Sequence, residues 1–209
     1  MIICLEGPSA VGKTTTCSAL AERMDAYTVP EVNALFARPV QAPADWYLER
    51  QVERWEIAQK HSAHARLVVL DGDVFQPLWY NWSFGFAEYQ SLEALSVFYR
   101  PRIEAGLIGF PDHYVHLFIG ENELRLRKEA DQTRSRRGFD SHLRLLQTQP
   151  RYFEMLSGLL PGRVHSVEAN SVETNLRCIF ECSAALVPAA VTSLEIFDNI
   201  VEWLQTNEA

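Results

Sequence analysis

A chain of 209 residues with 47% hydrophobic content fits one domain of ordinary size with a substantial core, and argues against disorder. Its net charge of −8 excludes a general nucleic-acid or anionic-membrane binder, since both need a basic face. No apolar run approaches the roughly 20 residues of a membrane span, and no basic stretch precedes the short apolar N-terminus, so a soluble, cytoplasmic protein is expected.

In chain order, Ile2 to Glu6 reads as a strand, followed by a helix from Gly12 to Met24 and a strand at Tyr27 to Val29. Pro39 to Pro43 is a loop, and Asp45 to His61 has helical periodicity. Further strands are expected at Arg66 to Asp71, Tyr114 to Ile119 and Val164 to Val167. Helices are expected at Ser91 to Glu104, Glu121 to Ala130, Asp140 to Leu156, Val172 to Leu186 and Leu194 to Gln205. Asn170 stands three residues before Glu173 and Thr192 three before Glu195, the spacing of a helix-start capping box. The strands are continuous apolar runs rather than alternating ones, and they alternate with helices. That pattern implies an α/β fold with a parallel sheet covered by helices on both faces. The whole of 1–209 is expected to form a single domain.

The residues joining the first strand to the first helix carry the strongest chemical signal. Gly7-Pro8-Ser9-Ala10-Val11-Gly12-Lys13-Thr14 fits G-x-x-x-x-G-K-[ST]. Glycines let such a loop turn successive N–H groups inward onto phosphate oxygens, and the helix N-terminus adds partial positive charge. Lys13 reaches the β/γ-phosphates and the Thr14 hydroxyl ligates Mg²⁺, with Gly7, Ser9, Ala10, Val11, Gly12 and Thr15 completing the nucleotide cradle. Lysine is rare in this chain: of the 19 cations only Lys13, Lys60 and Lys128 are lysines, so its position here is informative.

Nucleotide binding alone does not fix the reaction. D-x-x-G and N-K-x-D motifs of a GTPase switch are missing, because Asp71-Gly72-Asp73-Val74 is not D-x-x-G and no N-K-x-D occurs. A phosphotransferase needs a carboxylate at the acceptor, a metal-holding acid and cations over the transferred group. Glu31, after the second strand, is the candidate base. Asp71, ending "LVVLD", is the candidate for the Mg²⁺ shell, and Asp73 is able to serve in either role. Arg134, Arg136 and Arg137 end an arginine-rich stretch that begins at Arg125 and Arg127, expected to act as a lid over residues 125–139.

Trp46, Trp55, Trp79 and Trp82, with Phe75, Tyr80, Phe84, Phe86, Tyr89, Phe98 and Tyr99, are dense enough to suggest aromatic walls for a flat or amphipathic acceptor, although each alone reads as core. Arg100 and Arg102 either grip an anionic acceptor or end a helix. Asn170 lies where a loop would pass the nucleotide base. The four cysteines lack zinc spacing, and Cys178 and Cys182 read as buried free thiols. The histidines form no metal-like set, and His61 and His64 read as surface residues.

At the level of motifs, the chain resembles the P-loop small-molecule kinases, in particular the deoxynucleoside kinase and thymidylate kinase-like group. "LEGPSAVGKTT", "PE" after the second strand, "LDGDVFQP" after the third and the arginines at 134–137 occur in the family's order. The resemblance implies a three-layer P-loop fold with a five-stranded parallel sheet, a mobile lid, ATP with Mg²⁺, Glu31 as base and Asn170 near adenine. Ser9 stands where thymidylate kinases typically carry Asp, and Asp71-Gly72 where the group carries an acid-Arg pair. The missing Arg tilts the expected acceptor toward a neutral hydroxyl, on a nucleoside first. A nucleoside monophosphate, or an antibiotic as in chloramphenicol phosphotransferase-like kinases, is the alternative. A nucleotide-binding regulator or hydrolase without an acceptor is the competing class, and a homodimer is expected.

Overall fold

The computed structural model describes residues 1–131, 138–185 and 191–209. Arg134, Arg136 and Arg137, in the middle of the expected lid, lie outside the described residues.

Five strands form one parallel sheet: β1 (Ile2–Glu6), β2 (Ala26–Val29), β3 (Leu67–Asp71), β4 (His113–Phe118) and β5 (Val164–Glu168), in the order β2-β3-β1-β4-β5. β1 is central, and like β3 beside it is a run of four apolar residues ending in an acid, buried along its whole length. Contrary to the expectation that every strand is covered on both faces, β2 and β5 are only partly buried. They are the sheet's edges, where one flank lacks a neighbour.

The helices are α1 (Lys13–Arg23), α2 (Val32–Leu35), α3 (Trp46–Ser62), α4 (Gln76–Phe84), α5 (Leu92–Glu104), α6 (Glu121–Ala130), α7 (Phe139–His142), α8 (Leu145–Leu159), α9 (Val172–Ala184) and α10 (Ser193–Thr206). They divide the core into two layers. Cys4, Val68 and Leu70 face an aromatic-rich cluster with α3, α4, α5, α8 and α10, while Ile3, Leu5 and Val115 face a smaller aliphatic cluster with α1, α6 and α9.

Several expectations are corrected. The stretch expected as one helix from Asp140 is divided into α7 and α8. α4 has no counterpart in the sequence reading: its apolar residues run all round the helix, so they show no amphipathic stripe. Asn170 does not cap α9. Ser171 does, its side chain accepting from the Thr174 amide, while Asn170 Nδ2 donates to Glu168 Oε2 at 3.1 Å. The capping box at Thr192 and Glu195 is present as expected. Arg100 pairs with Asp198, and Arg102 pairs with Glu49 and lies over the Phe98 ring, so both fasten α5 to its neighbours. Six of the eleven expected acceptor-site aromatics are buried in the larger core cluster: Trp55, Phe75, Trp79, Trp82, Phe98 and Tyr99, of which Trp79 also borders the cavity. Cys182 is buried and Cys178 half-buried, 3.8 Å apart through their sulfurs.

Candidate active site

Parallel pairing brings the carboxyl ends of β1, β2 and β3 to one sheet edge, where the loops form a cavity of about 1370 Å³. Every described candidate for the nucleotide, metal and base roles lines it: Gly7, Ser9, Ala10, Val11, Gly12, Lys13, Thr14, Thr15, Glu31, Asp71 and Asn170.

The loop's shape follows from its residues. Gly7 has φ +150°, and a Cβ there would stand 2.4 Å from the Leu117 carbonyl oxygen, so no larger residue fits. Ala10 adopts φ 71° and Gly12 φ 107°, turning the backbone before α1 begins. A non-glycine residue in the left-handed region is strain of the kind that binding loops carry. Below the loop, Glu6 is buried, and its carboxylate accepts from the Gly7 and Asp73 amides, both at 2.8 Å. It clamps the start of the loop to the turn after β3. Burial pushes the Glu6 carboxyl above its ordinary pKa, with Lys13 pulling the other way.

Lys13 donates to the Gly7 carbonyl at 2.7 Å, with Nζ 3.6 Å from Glu31 Oε1 and 4.0 Å from Glu6 Oε1. Desolvation works against its charge, but Glu6, Glu31 and Asp71 more than offset it, so the ammonium pKa is raised. Glu31 is half exposed at the cavity wall (50% of its side chain). Thr14 Oγ1 donates to Asp71 Oδ2 at 2.9 Å, while the buried Asp71 Oδ1 has no hydrogen-bond partner among the described residues. A hydroxyl and a carboxylate with a spare oxygen, beside a phosphate-shaped loop, fit a magnesium ion that keeps waters and takes phosphate oxygens as further ligands. Among the described residues no group of three or more metal-binding side chains exists, as such an ion requires no all-protein cage.

Two cations here carried no site-specific signal in the sequence. Arg54 on α3 is fully buried and donates to the carbonyls of Pro30, Asp71 and Gly72 and to Gln51 Oε1, at 2.7 to 2.9 Å. It ties the ends of β2 and β3 together and brings a guanidinium to the cavity wall near Gly72. Arg127 on α6 donates to the carbonyls of Val11 (3.1 Å) and Ala169 (2.8 Å), bracing the phosphate loop against the turn after β5. By sequence it was one more helical arginine in a lid. Arg125 instead pairs with Glu121 and Asp140 on the surface.

The far end of the cavity is built from Tyr47, Gln76, Trp79, Tyr80, Tyr89 and Gln149. Tyr47 donates to Gln76 Oε1 at 2.7 Å, and burial raises its pKa to about 12. Tyr80 shares a 3.0 Å hydrogen bond with His142, whose pKa burial lowers. Asp73 receives the Phe75 amide at 3.1 Å, and burial pushes its carboxyl up to about 7.

A family described as AAA domain matches residues 2–149. The chain belongs to this family. A search of curated proteins finds no match. Among solved structures, deoxyadenosine kinase from M. mycoides with bound dATP superposes with a TM-score of 0.56 at 13% identity, covering 88% of this chain and 100% of that one. Thymidylate kinase from Candida albicans gives 0.57 at 13%, covering 91% and 96%. The M. mycoides kinase with products dCMP and dCDP gives 0.54 at 15%, covering 87% and 97%. At these identities the likeness is one of fold: the chain has the three-layer α/β architecture of the P-loop nucleoside and nucleotide kinases. No helix among the described residues is long and apolar enough to cross a membrane.

Proposed function

We propose that the protein is an ATP-dependent phosphotransferase that moves the γ-phosphoryl group to a hydroxyl of a small molecule, with a nucleoside as the leading acceptor. The observation that supports this most is the single cavity joining the phosphate loop to an aromatic-walled space, with Glu31 between them. A nucleotide switch or simple hydrolase has no use for that second space.

In this reading the loop amides and Lys13 hold the β- and γ-phosphates, and Lys13 exchanges its contacts with Gly7 and Glu31 for phosphate oxygens. Thr14 and Asp71 would hold Mg²⁺, which when bound would neutralise charge building on the phosphates. Glu31, released from Lys13 by the arriving phosphate, accepts the acceptor's hydroxyl proton and aligns its oxygen for attack. Phe75, Arg54 and Glu6 keep the Asp71–Asp73 turn in place by hydrogen bonds to its backbone and side chains. Asn170, on the wall near the turn after β5, is the residue this reading assigns to the adenine. Arg134, Arg136 and Arg137 complete the cation set over the transferring group, an assignment that rests on sequence alone.

A thermal-shift screen of nucleosides, nucleotides and aminoglycoside- or chloramphenicol-like compounds, each with an unreactive ATP analogue and magnesium, tests the proposal. Added stabilisation by one acceptor class beyond the analogue supports it. Stabilisation by the analogue alone, with acceptor-independent turnover of ATP, replaces it with a hydrolase.

A further inference from the structure

The acceptor end of the cavity contains an unusual set of buried polar atoms. Gln149 is 1% exposed, yet neither its Oε1 nor its Nε2 has a hydrogen-bond partner among the described residues. Trp79, whose indole interacts with the Asp73 carboxylate, lines the same cavity. Buried polar groups are ordinarily paired, because leaving one unmade forfeits the full desolvation of that group. A primary amide with both ends idle is a double exception.

The position of Gln149 is firmly fixed. It lies on α8 one turn beyond Leu145, which also faces the cavity, and just before Tyr152 and Phe153, which are core. The preceding residue, Thr148, accepts a 2.7 Å hydrogen bond from Ser83 of α4, so α8 is pinned to the helix that carries Trp79. An amide held this way presents a donor and an acceptor side by side in one plane. The complement is a planar edge with an acceptor beside a donor, which is the lactam or amidine edge of a heterocyclic base. An amine-rich sugar offers tetrahedral ammonium groups that require several acceptors, and the flat Trp79 and Tyr80 rings give it no matching wall.

Granting phosphoryl transfer to a small acceptor as proposed above, we propose that Gln149, on the cavity wall it shares with Trp79, is the specificity-determining group that reads the hydrogen-bonding edge of a nucleobase on the acceptor. Such a site rejects an acceptor of identical shape that lacks the edge, because the buried amide then stays unpaired.

The test uses the full chain, ATP and magnesium with purine and pyrimidine deoxynucleosides. Each is paired with its nonpolar isostere, difluorotoluene replacing thymine and methylbenzimidazole replacing adenine. The wild type should favour at least one natural nucleoside over its isostere by about tenfold to a hundredfold in kcat/KM. Gln149→Met, close to Gln in shape, should collapse that preference mainly through KM. It should leave the thermal midpoint unchanged or raised, since it removes an unpaired polar group. A wild type indifferent to the isostere change overturns the inference without any variant. A Gln149→Met protein that keeps the preference overturns it too, as does one that loses only stability, which marks an amide serving a buried water. A wild type that phosphorylates no base-bearing acceptor, but does phosphorylate an antibiotic, removes the nucleoside and this inference while leaving the phosphotransferase standing.

Discussion

At the phosphate end of the cavity, eight consecutive residues from Gly7 to Thr14 supply the wall, and their polar groups engage one another: Lys13 with Gly7, Glu6 and Glu31, Thr14 with Asp71. At the acceptor end the wall comes from separated segments, among them α3, α4 and α8, and both polar atoms of the buried Gln149 amide lack a partner among the described residues. The first end binds a group common to every nucleoside triphosphate, so it is a fixed and contiguous device. The second has to distinguish one small molecule from others, so its selectivity resides in side chains that only the fold brings together. Chemistry shared by a family is written locally, and chemistry particular to one member is written in tertiary structure.

Substitutions at the two ends should therefore fail differently. Lys13→Ala should lower phosphoryl transfer by about a thousandfold, with a thermal midpoint near that of the wild type, since it removes the charge that follows the transferring group. Steady-state kinetics and a melting curve check both halves. Glu31→Gln should cost about a hundredfold in kcat while the affinity for an unreactive ATP analogue holds, and an unchanged kcat would transfer the base role to Asp73 or Asp71. Arg54→Met bridges the two ends. Removing a buried cation that serves Pro30, Asp71, Gly72 and Gln51 should destabilise the protein by about 3 kcal/mol or more, read from urea unfolding.

The smallest effect is a pH dependence at Asp73. Its folded pKa is about 7, above the ordinary carboxylate value of 3.8, so the folded state binds the proton more tightly than the unfolded chain. Its contribution is fully favourable below pH ~4 and is lost as pH rises toward 7. Glu6 and Asp71, also raised by burial, act in the same direction. Asp73→Asn cannot ionise, so its melting temperature relative to wild type should climb between pH 5 and pH 8. A difference that stays constant would place the Asp73 pKa outside that window.

The legibility of the chain follows the same division. The phosphate loop, its flanking strand and helix, and the positions of Glu31 and Asp71 at strand ends are visible in the sequence, because strand-helix alternation fixes which ends meet. Arg54 was not visible: within "QVERWEIAQK" it has the spacing of an ordinary helical arginine, and only the approach of Pro30, Asp71 and Gly72 gives it a role. Gln149 was hidden for a similar reason, since a glutamine next to Pro150 within a helix carries no sign of burial. Aromatic density misled in detail. Trp55, Phe75 and Trp82 fill the core beneath the cavity, whereas Tyr47, which does line the wall, was not among the residues singled out. The Asn170 cap was misassigned by one position because Ser171, equally suited to capping, stands beside it and is the residue whose backbone is extended at the helix start.

The central claim is transfer rather than hydrolysis, and phosphorus NMR of the protein with ATP, magnesium and the acceptor that stabilises it most measures this directly. The account predicts a new phosphomonoester resonance that grows in step with ADP and vanishes in Lys13→Ala. ADP appearing together with free inorganic phosphate, at a rate indifferent to the acceptor, would contradict it.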